Sequence, residues 1–408
     1  MQYTARTMGP QAVPLEERLD EEYLVQWLSR LLTVPTEVPL GPNTLIEPDD
    51  PKLAHYVQGV VRPELRRLGI HDLVDAGRNN LVARIGRGAS ERSLLLMVYT
   101  VSQHHNLMDD PFSGKIANGR AWGFDEPCAF GQGASQNKVH MAAMLAVLKL
   151  LRDEQFALDG RLYFGINNEG RSSHACSQLI LGSIDQRPEA AVLLTKTEMG
   201  IQLGNRGRVD AVVTVRGKAT HSSRPHLGLS AVDGANEAIN RVKRLDLRGS
   251  HPTLGGQHAV VYQVTYAPMA PHTLPETARL LIDRRLLPGD DPDEAVDEIR
   301  SAIGDLAPYE VTVERGVCML PSLVEPDAPI VQQLQAAHRA VLGHEARTFY
   351  SIGTYDAGGP SSAGVPTVMF GASGGDWPLG IDFVPLSHAF AEARIIARLV
   401  VDTLGGGR

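Results

Sequence analysis

The chain has 408 residues, a formal net charge of −8, 43% hydrophobic and 21% charged residues. That length exceeds what one core normally serves and implies two domains. The acidic balance argues against a nucleic-acid binder, which presents a basic face. Cys128, Cys176 and Cys318 lie far apart without CxxC spacing, the pattern of free thiols in a reducing compartment. No apolar run reaches the ~18 residues of a membrane span, and Met1–Arg6 lacks the apolar core of a signal peptide. The expectation is a cytoplasmic protein with no nucleic-acid or membrane partner.

Leu19, Tyr23, Leu24, Trp27, Leu28 and Leu31 recur at helical spacing, and Pro35 ends that helix. A second helix is predicted from Asp50-Pro51 to Leu68, interrupted at Pro63 and closed by Gly69. Strands read at Leu81–Ile85 and Leu94–Val101, and a long apolar-faced helix at Gln136–Leu151. Strand signals return at Arg161–Ile166 and Ala191–Leu194. Strands alternating with helices predict a largely parallel sheet covered on both faces.

The pattern changes near Arg208. Strands at Asp210–Val215, Val260–Tyr266, Arg279–Leu286 and Glu310–Glu314 enclose helices at Ser230–Val242 and Pro292–Leu306. This β-α-β-β-α-β order is the split βαβ sandwich. After Pro321 the first pattern resumes, with a helix at Pro329–Leu342, a strand at Thr367–Phe370 and a last helix at Ser387–Leu404. The predicted division is a first α/β part at 15–207, an inserted domain at 208–320 and a second α/β part at 321–408.

Three stretches have the texture of site loops: Asp110–Lys115 with Gly119–Gly123, Gly131–Lys138, and Asn167–Ser173. Open α/β sheets bind ligands at the C-terminal ends of their strands, where these loops fall. Each is equally readable as a polar turn. In the inserted domain, His221 lies in the turn Gly217–His226 and reads alone as a loop histidine. Arg284 and Arg285 end a strand, so one should face a cleft and the other solvent. An arginine in a cleft can grip a carboxylate with both arms of its fork.

Together, D-P-F-S-G-K, G-R-A-W-G, G-A-S-Q-N-K, G-K-A-T-H-S-S-R-P-H, D-R-R-L-L-P-G and G-V-P-T occur in an order that resembles one family. It is the zinc metallopeptidase and amidohydrolase family of aminoacylase, acetylornithine deacetylase, succinyl-diaminopimelate desuccinylase and glutamate carboxypeptidase. The likeness runs from about Asp20 to Leu404. It implies an α/β fold: a zinc-peptidase-like catalytic domain with an inserted α+β (split βαβ) dimerisation or lid domain. It also implies hydrolysis of an amide next to a carboxylate, and a homodimer formed through the lid. His221 matches the histidine that reaches across the dimer to polarise the scissile carbonyl. Arg285 matches the arginine that binds the substrate carboxylate. His272 stands where the family usually has an asparagine, and an eight-residue surplus around Phe124–Cys128 separates two motifs.

The family's metal ligands do not carry over. Its H-x-D motif becomes Tyr99 and Val101, its bridging aspartate becomes Gln136, and its Glu-Glu pair becomes Asn168-Glu169. The next acidic ligand falls at Thr197 or Glu198, and the last histidine near Pro378. Zinc needs imidazole, thiolate or carboxylate donors, so no cofactor is expected although the family implies zinc. Carboxylates clustered without a metal would repel one another, and amides in their place remove that repulsion. A re-wired site would draw on His104, His105, His140, Glu169, His174 or Cys176, none at a diagnostic spacing.

Three functions stay open. One is a metal-independent enzyme on a small carboxylate-bearing amino-acid or acyl-amino-acid derivative, by acyl transfer, cyclisation, isomerisation or elimination. Glu169 would be its acid/base and His221 its oxyanion donor, with Arg285, Tyr99, Gln136, Asn168 and His272 placing the substrate. Cys176 or Cys128 is conceivable as a nucleophile. The second is a non-catalytic ligand-binding or partner protein on the same dimer. The third is a metal-dependent amide hydrolase with a re-wired site.

Overall fold

The computed structural model describes residues 13–38, 46–102, 108–170, 173–375 and 380–406. The strand Ser93–Tyr99 shows why the main sheet forms. Leu94, Leu96 and Val98 pack into one core, and Leu95 and Met97 into another on the opposite face. A strand with no polar face must be covered on both sides. Helices Glu21–Leu32, Val139–Asp153, Pro329–Leu342 and Leu386–Leu404 supply the larger core, and Ala175–Gly182 packs on the other face.

The sheet runs Leu73–Gly77, Asn80–Ile85, Arg161–Asn167, Ser93–Tyr99, Ala190–Leu194, Thr367–Phe370, Ile201–Asn205 and Ser322–Leu323, with Thr348–Ser351 also paired to Ile201–Asn205. Its centre is parallel, but both flanks contain antiparallel pairs. The parallel expectation therefore holds for the four central strands and for Thr348–Ser351 beside Ile201–Asn205. Leu73–Gly77 and Ile201–Asn205 do not stand out as apolar runs because Asp75, Gly77, Gln202, Gly204 and Asn205 interrupt them.

The second helix passes through Pro63. A π-helical stretch at His55–Val61 precedes the proline. Its wider turn relieves the demand for an N–H that proline cannot meet. The surplus around Phe124–Cys128 is also a strand, Phe124–Phe130, paired with Lys115–Gly119 and Phe383–Pro385. Phe124, Phe130 and Phe383 pack ring against ring there.

Residues 207–319 form a four-stranded antiparallel sheet in the order Ala259–Ala267, Thr277–Leu286, Gly207–Arg216, Glu310–Met319. Helices Ala231–Lys243 and Pro292–Ile303 cover one face around Val213, Leu280, Ile282 and Ile299. Neither terminal arginine of Thr277–Leu286 points freely into solvent. Arg284 is 1% exposed and pairs with Glu298 at 2.8 Å. Arg285 turns to the opposite face, toward Thr354 of the α/β domain.

Candidate functional site

The C-terminal ends of the central strands carry a buried polar network. Asp356 is fully buried and accepts from His174 Nδ1 at 2.5 Å, Asn167 Nδ2 at 2.7 Å and Ser177 Oγ at 2.8 Å. The Leu320 N–H donates to His174 Nε2 at 2.6 Å, so the proton of the neutral ring lies on Nδ1. The Asp356 N–H donates to the Tyr99 hydroxyl at 2.9 Å. Burial, then the nearby Asp356 carboxylate, raises the Tyr99 phenol well above its ordinary value. Tyr99 is therefore a neutral polar contact. Asp356, in the loop after Thr348–Ser351, has no sequence signal beyond its glycine-rich setting.

Glu169 is buried beside this network; its Oε2 accepts from Ser173 Oγ at 2.8 Å. Asn168 is fully buried. Its Oδ1 accepts from Thr100 Oγ1 at 2.5 Å and its Nδ2 donates to the Arg78 carbonyl at 3.4 Å. The Asn168 side chain thus braces the loop. Gln136 is half-buried in the neighbouring turn Ala134–Lys138. Asp382 holds that turn: it accepts from Gly133 N at 2.8 Å, Ser135 N at 2.9 Å and Ser135 Oγ at 2.8 Å. Asp382 is fully buried, and burial raises its pKa. Lys138 is buried too, donates to the Val34 carbonyl at 2.7 Å, and is pushed down to about 7 by burial.

The thiols are poor nucleophiles. Burial, with Glu169 adding, pushes Cys176 up to about 12. Burial, with Glu126 adding, pushes Cys128 up to about 11. A thiol that stays protonated is unreactive.

Among the described residues, the donors present do not fit zinc. No group of three or more His, Cys, Asp or Glu among these residues lies close enough to hold a metal ion. Two histidines considered for a re-wired site are committed elsewhere. His140 pairs with buried Glu392 at 2.7 Å, and His174 with Asp356. His104, His105 and Pro378 lie outside the described residues.

On the inserted domain, His221 and His272 are exposed, with ring centroids 6.0 Å apart. The Ser223 N–H donates to His221 Nδ1 at 3.1 Å, which leaves Nε2 as the protonated nitrogen of the neutral ring. The structure thus brings Tyr99 and Glu169 together, but sets His221 and His272 apart on the lid. Arg285 is not an open fork: its Nε and Nη2 grip Asp283 at 2.8 and 3.0 Å, and Nη1 donates to Thr354 Oγ1 at 2.8 Å. Sequence reading missed its neighbour Arg206. Arg206 is 8% exposed and donates to the Leu254 carbonyl at 2.5 Å and to His258 Nδ1 at 3.4 Å. Among the described residues no carboxylate pairs with it, and burial plus the charge of Arg285 lowers its pKa.

Residues 203–310 match the family model of the peptidase dimerisation domain. In sequence and fold the chain resembles the M20 peptidases. YgeY of Escherichia coli K12 is 24% identical over 353 residues, 79% of this chain and 82% of YgeY. The succinyl-diaminopimelate desuccinylase of Acidiphilium cryptum is 24% identical over 329 residues, 79% of this chain and 85% of the enzyme. The M20 metallo-carboxypeptidase Sso-CP2 of Sulfolobus solfataricus superposes with a TM-score of 0.73 at 15% identity, over 93% of this chain and 98% of Sso-CP2. The M20 fold accounts for both units: an α/β domain of the catalytic type and an inserted dimerisation domain. No helix among the described residues is long and apolar enough to cross a membrane.

Proposed function

We propose that this protein binds a small amino-acid-derived substrate through its carboxylate, where the lid meets the α/β domain, and performs acyl or amide chemistry without a zinc pair. Arg206 carries the reading. A guanidinium so buried, without a carboxylate among the described residues, is costly unless an anion completes it. Arg285, beside it, positions the 352–354 segment through Thr354 and Ile352. Glu169 serves as acid/base. His221, with Nε2–H turned outward, serves as oxyanion donor for the site of a second copy.

The test is calorimetric titration with N-acyl amino acids and their uncharged amides. The free acids should bind and the amides should not. R206Q should weaken the acids by about 10- to 100-fold, the value of a charge-assisted hydrogen bond. Equal binding of acid and amide would refute the carboxylate reading. Elemental analysis of protein purified without chelator tests the metal. Near-stoichiometric zinc, lost together with activity on chelation, would overturn that part.

The homodimer is assigned to the edge strand Ala259–Ala267. Val260, Tyr262, Val264 and Tyr266 are each about half exposed there, at 51, 51, 49 and 45%. An apolar edge left bare invites pairing with another chain. The double substitution V260K/V264K should yield monomers in light scattering; an unchanged mass would place the interface elsewhere.

A further inference from the structure

We propose that Ser373 and His388 form a second, metal-independent acyl-transfer site, with Ser373 as nucleophile and His388 as general base. It is separate from the carboxylate site and does not depend on that reading. The Ser373 hydroxyl and His388 Nδ1 are hydrogen-bonded, and in the Nε2–H tautomer the hydroxyl is the donor. Both residues line an open cleft with Met199, Leu342, Ala346 and Ala391, an apolar set suited to a short acyl chain.

The backbone aims the serine. The Ala372 N–H is held by Glu392 at 2.9 Å. A Cβ on Gly374 would fall 2.3 Å from that of Ser135, so this position faces the Gly133–Ser135 turn. The Ser373 side chain reaches the final helix, where it meets His388. The base is held as well. Glu126 accepts from Ser387 N at 3.2 Å and Ser387 Oγ at 2.9 Å, pinning the residue before His388. The Phe124 ring stands perpendicular to the imidazole at 6.0 Å. Burial lowers the His388 pKa, and Glu126 and a hydrogen bond to the Ser373 backbone oppose that only in part. The ring is therefore neutral at pH 7, the form a general base needs. Glu126 faces it from Phe124–Phe130, and Glu198, His338, His344, Glu345 and Arg347 face the same cleft.

In the reaction, Ser373 Oγ attacks the carbonyl carbon of an ester while His388 Nδ1 takes the hydroxyl proton. The bond to the leaving alkoxide breaks, and His388 returns the proton to it. Water then attacks the acyl-serine, its proton passes to His388, and the carboxylic acid leaves as Ser373 regains its hydrogen.

The probe is an alkyl fluorophosphonate, whose phosphorus Ser373 would attack with loss of fluoride. Intact-mass and peptide mapping should find one adduct per chain on Ser373, absent from S373A. H388Q should label about 100-fold more slowly, the usual contribution of a positioned base. On unsubstituted protein the rate should fall with acid through a pKa below the usual imidazole value. No adduct, an adduct elsewhere or H388Q labelling at the original rate would overturn the site. Should H388Q fail to fold by circular dichroism, the acid limb decides: a rate flat from about pH 5 to 8 overturns it.

Discussion

D356A is expected to lower the unfolding free energy by about 3–5 kcal/mol, because three buried donors lose their acceptor at about 1–3 kcal/mol each. Asp356 accepts three side-chain hydrogen bonds with no exposure to water. Alanine would leave His174 Nδ1–H, Ser177 Oγ–H and Asn167 Nδ2–H in a dry interior without an acceptor. The damage would spread through His174, whose other nitrogen accepts from Leu320, the residue after the lid strand Glu310–Met319. D356N should fall nearly as far, because its amide turns donors toward donors. Urea unfolding at pH 7 measures both; losses under about 0.5 kcal/mol would show the network to be dispensable.

The second expectation is a rise in stability with pH that Lys138 causes. Below pH 7 this lysine is charged in both the folded and the unfolded chain, so burial exacts its full penalty. Between the folded value of about 7 and the unfolded value of 10.5, the folded chain has released the proton and the unfolded chain retains it. The unfolded state then binds more protons, and stability rises with pH. The gain across the window is at most about 5 kcal/mol, because each tenfold difference in proton affinity between the two states is worth about 1.36 kcal/mol. K138M should lack it. The difference between the two proteins in urea midpoints from pH 6 to about 10 isolates the lysine from all other titrations. Parallel curves would mean that the ammonium is solvated, or balanced by Asp382 and Glu37, the two carboxylates that oppose the shift.

Elements with strong periodicity are legible in the sequence itself. The helix Pro329–Leu342 and the strand Thr367–Phe370 match their predicted bounds. So does the β-α-β-β-α-β order of the inserted unit. Short strands such as Phe383–Pro385 are not, because three residues carry no period and form only against Phe124–Phe130. Tyr99, Gln136 and Asn168 could be recognised as poor zinc donors by chemistry alone, since an un-ionised phenol or an amide binds zinc weakly wherever it stands. What those side chains do instead could not be recognised. Asn168 braces Thr100, and Tyr99 accepts from a residue 257 positions away.

The order of motifs and the alternation of apolar residues are local properties, written in the chain itself. They were enough to define the M20 fold. The partners of buried polar groups are set by distance in space, where a carboxylate must find its donors or pay in solvation. Only folding could therefore bring Asp356 to His174, fill the Arg285 fork with Asp283, and leave Arg206 without a carboxylate among the described residues.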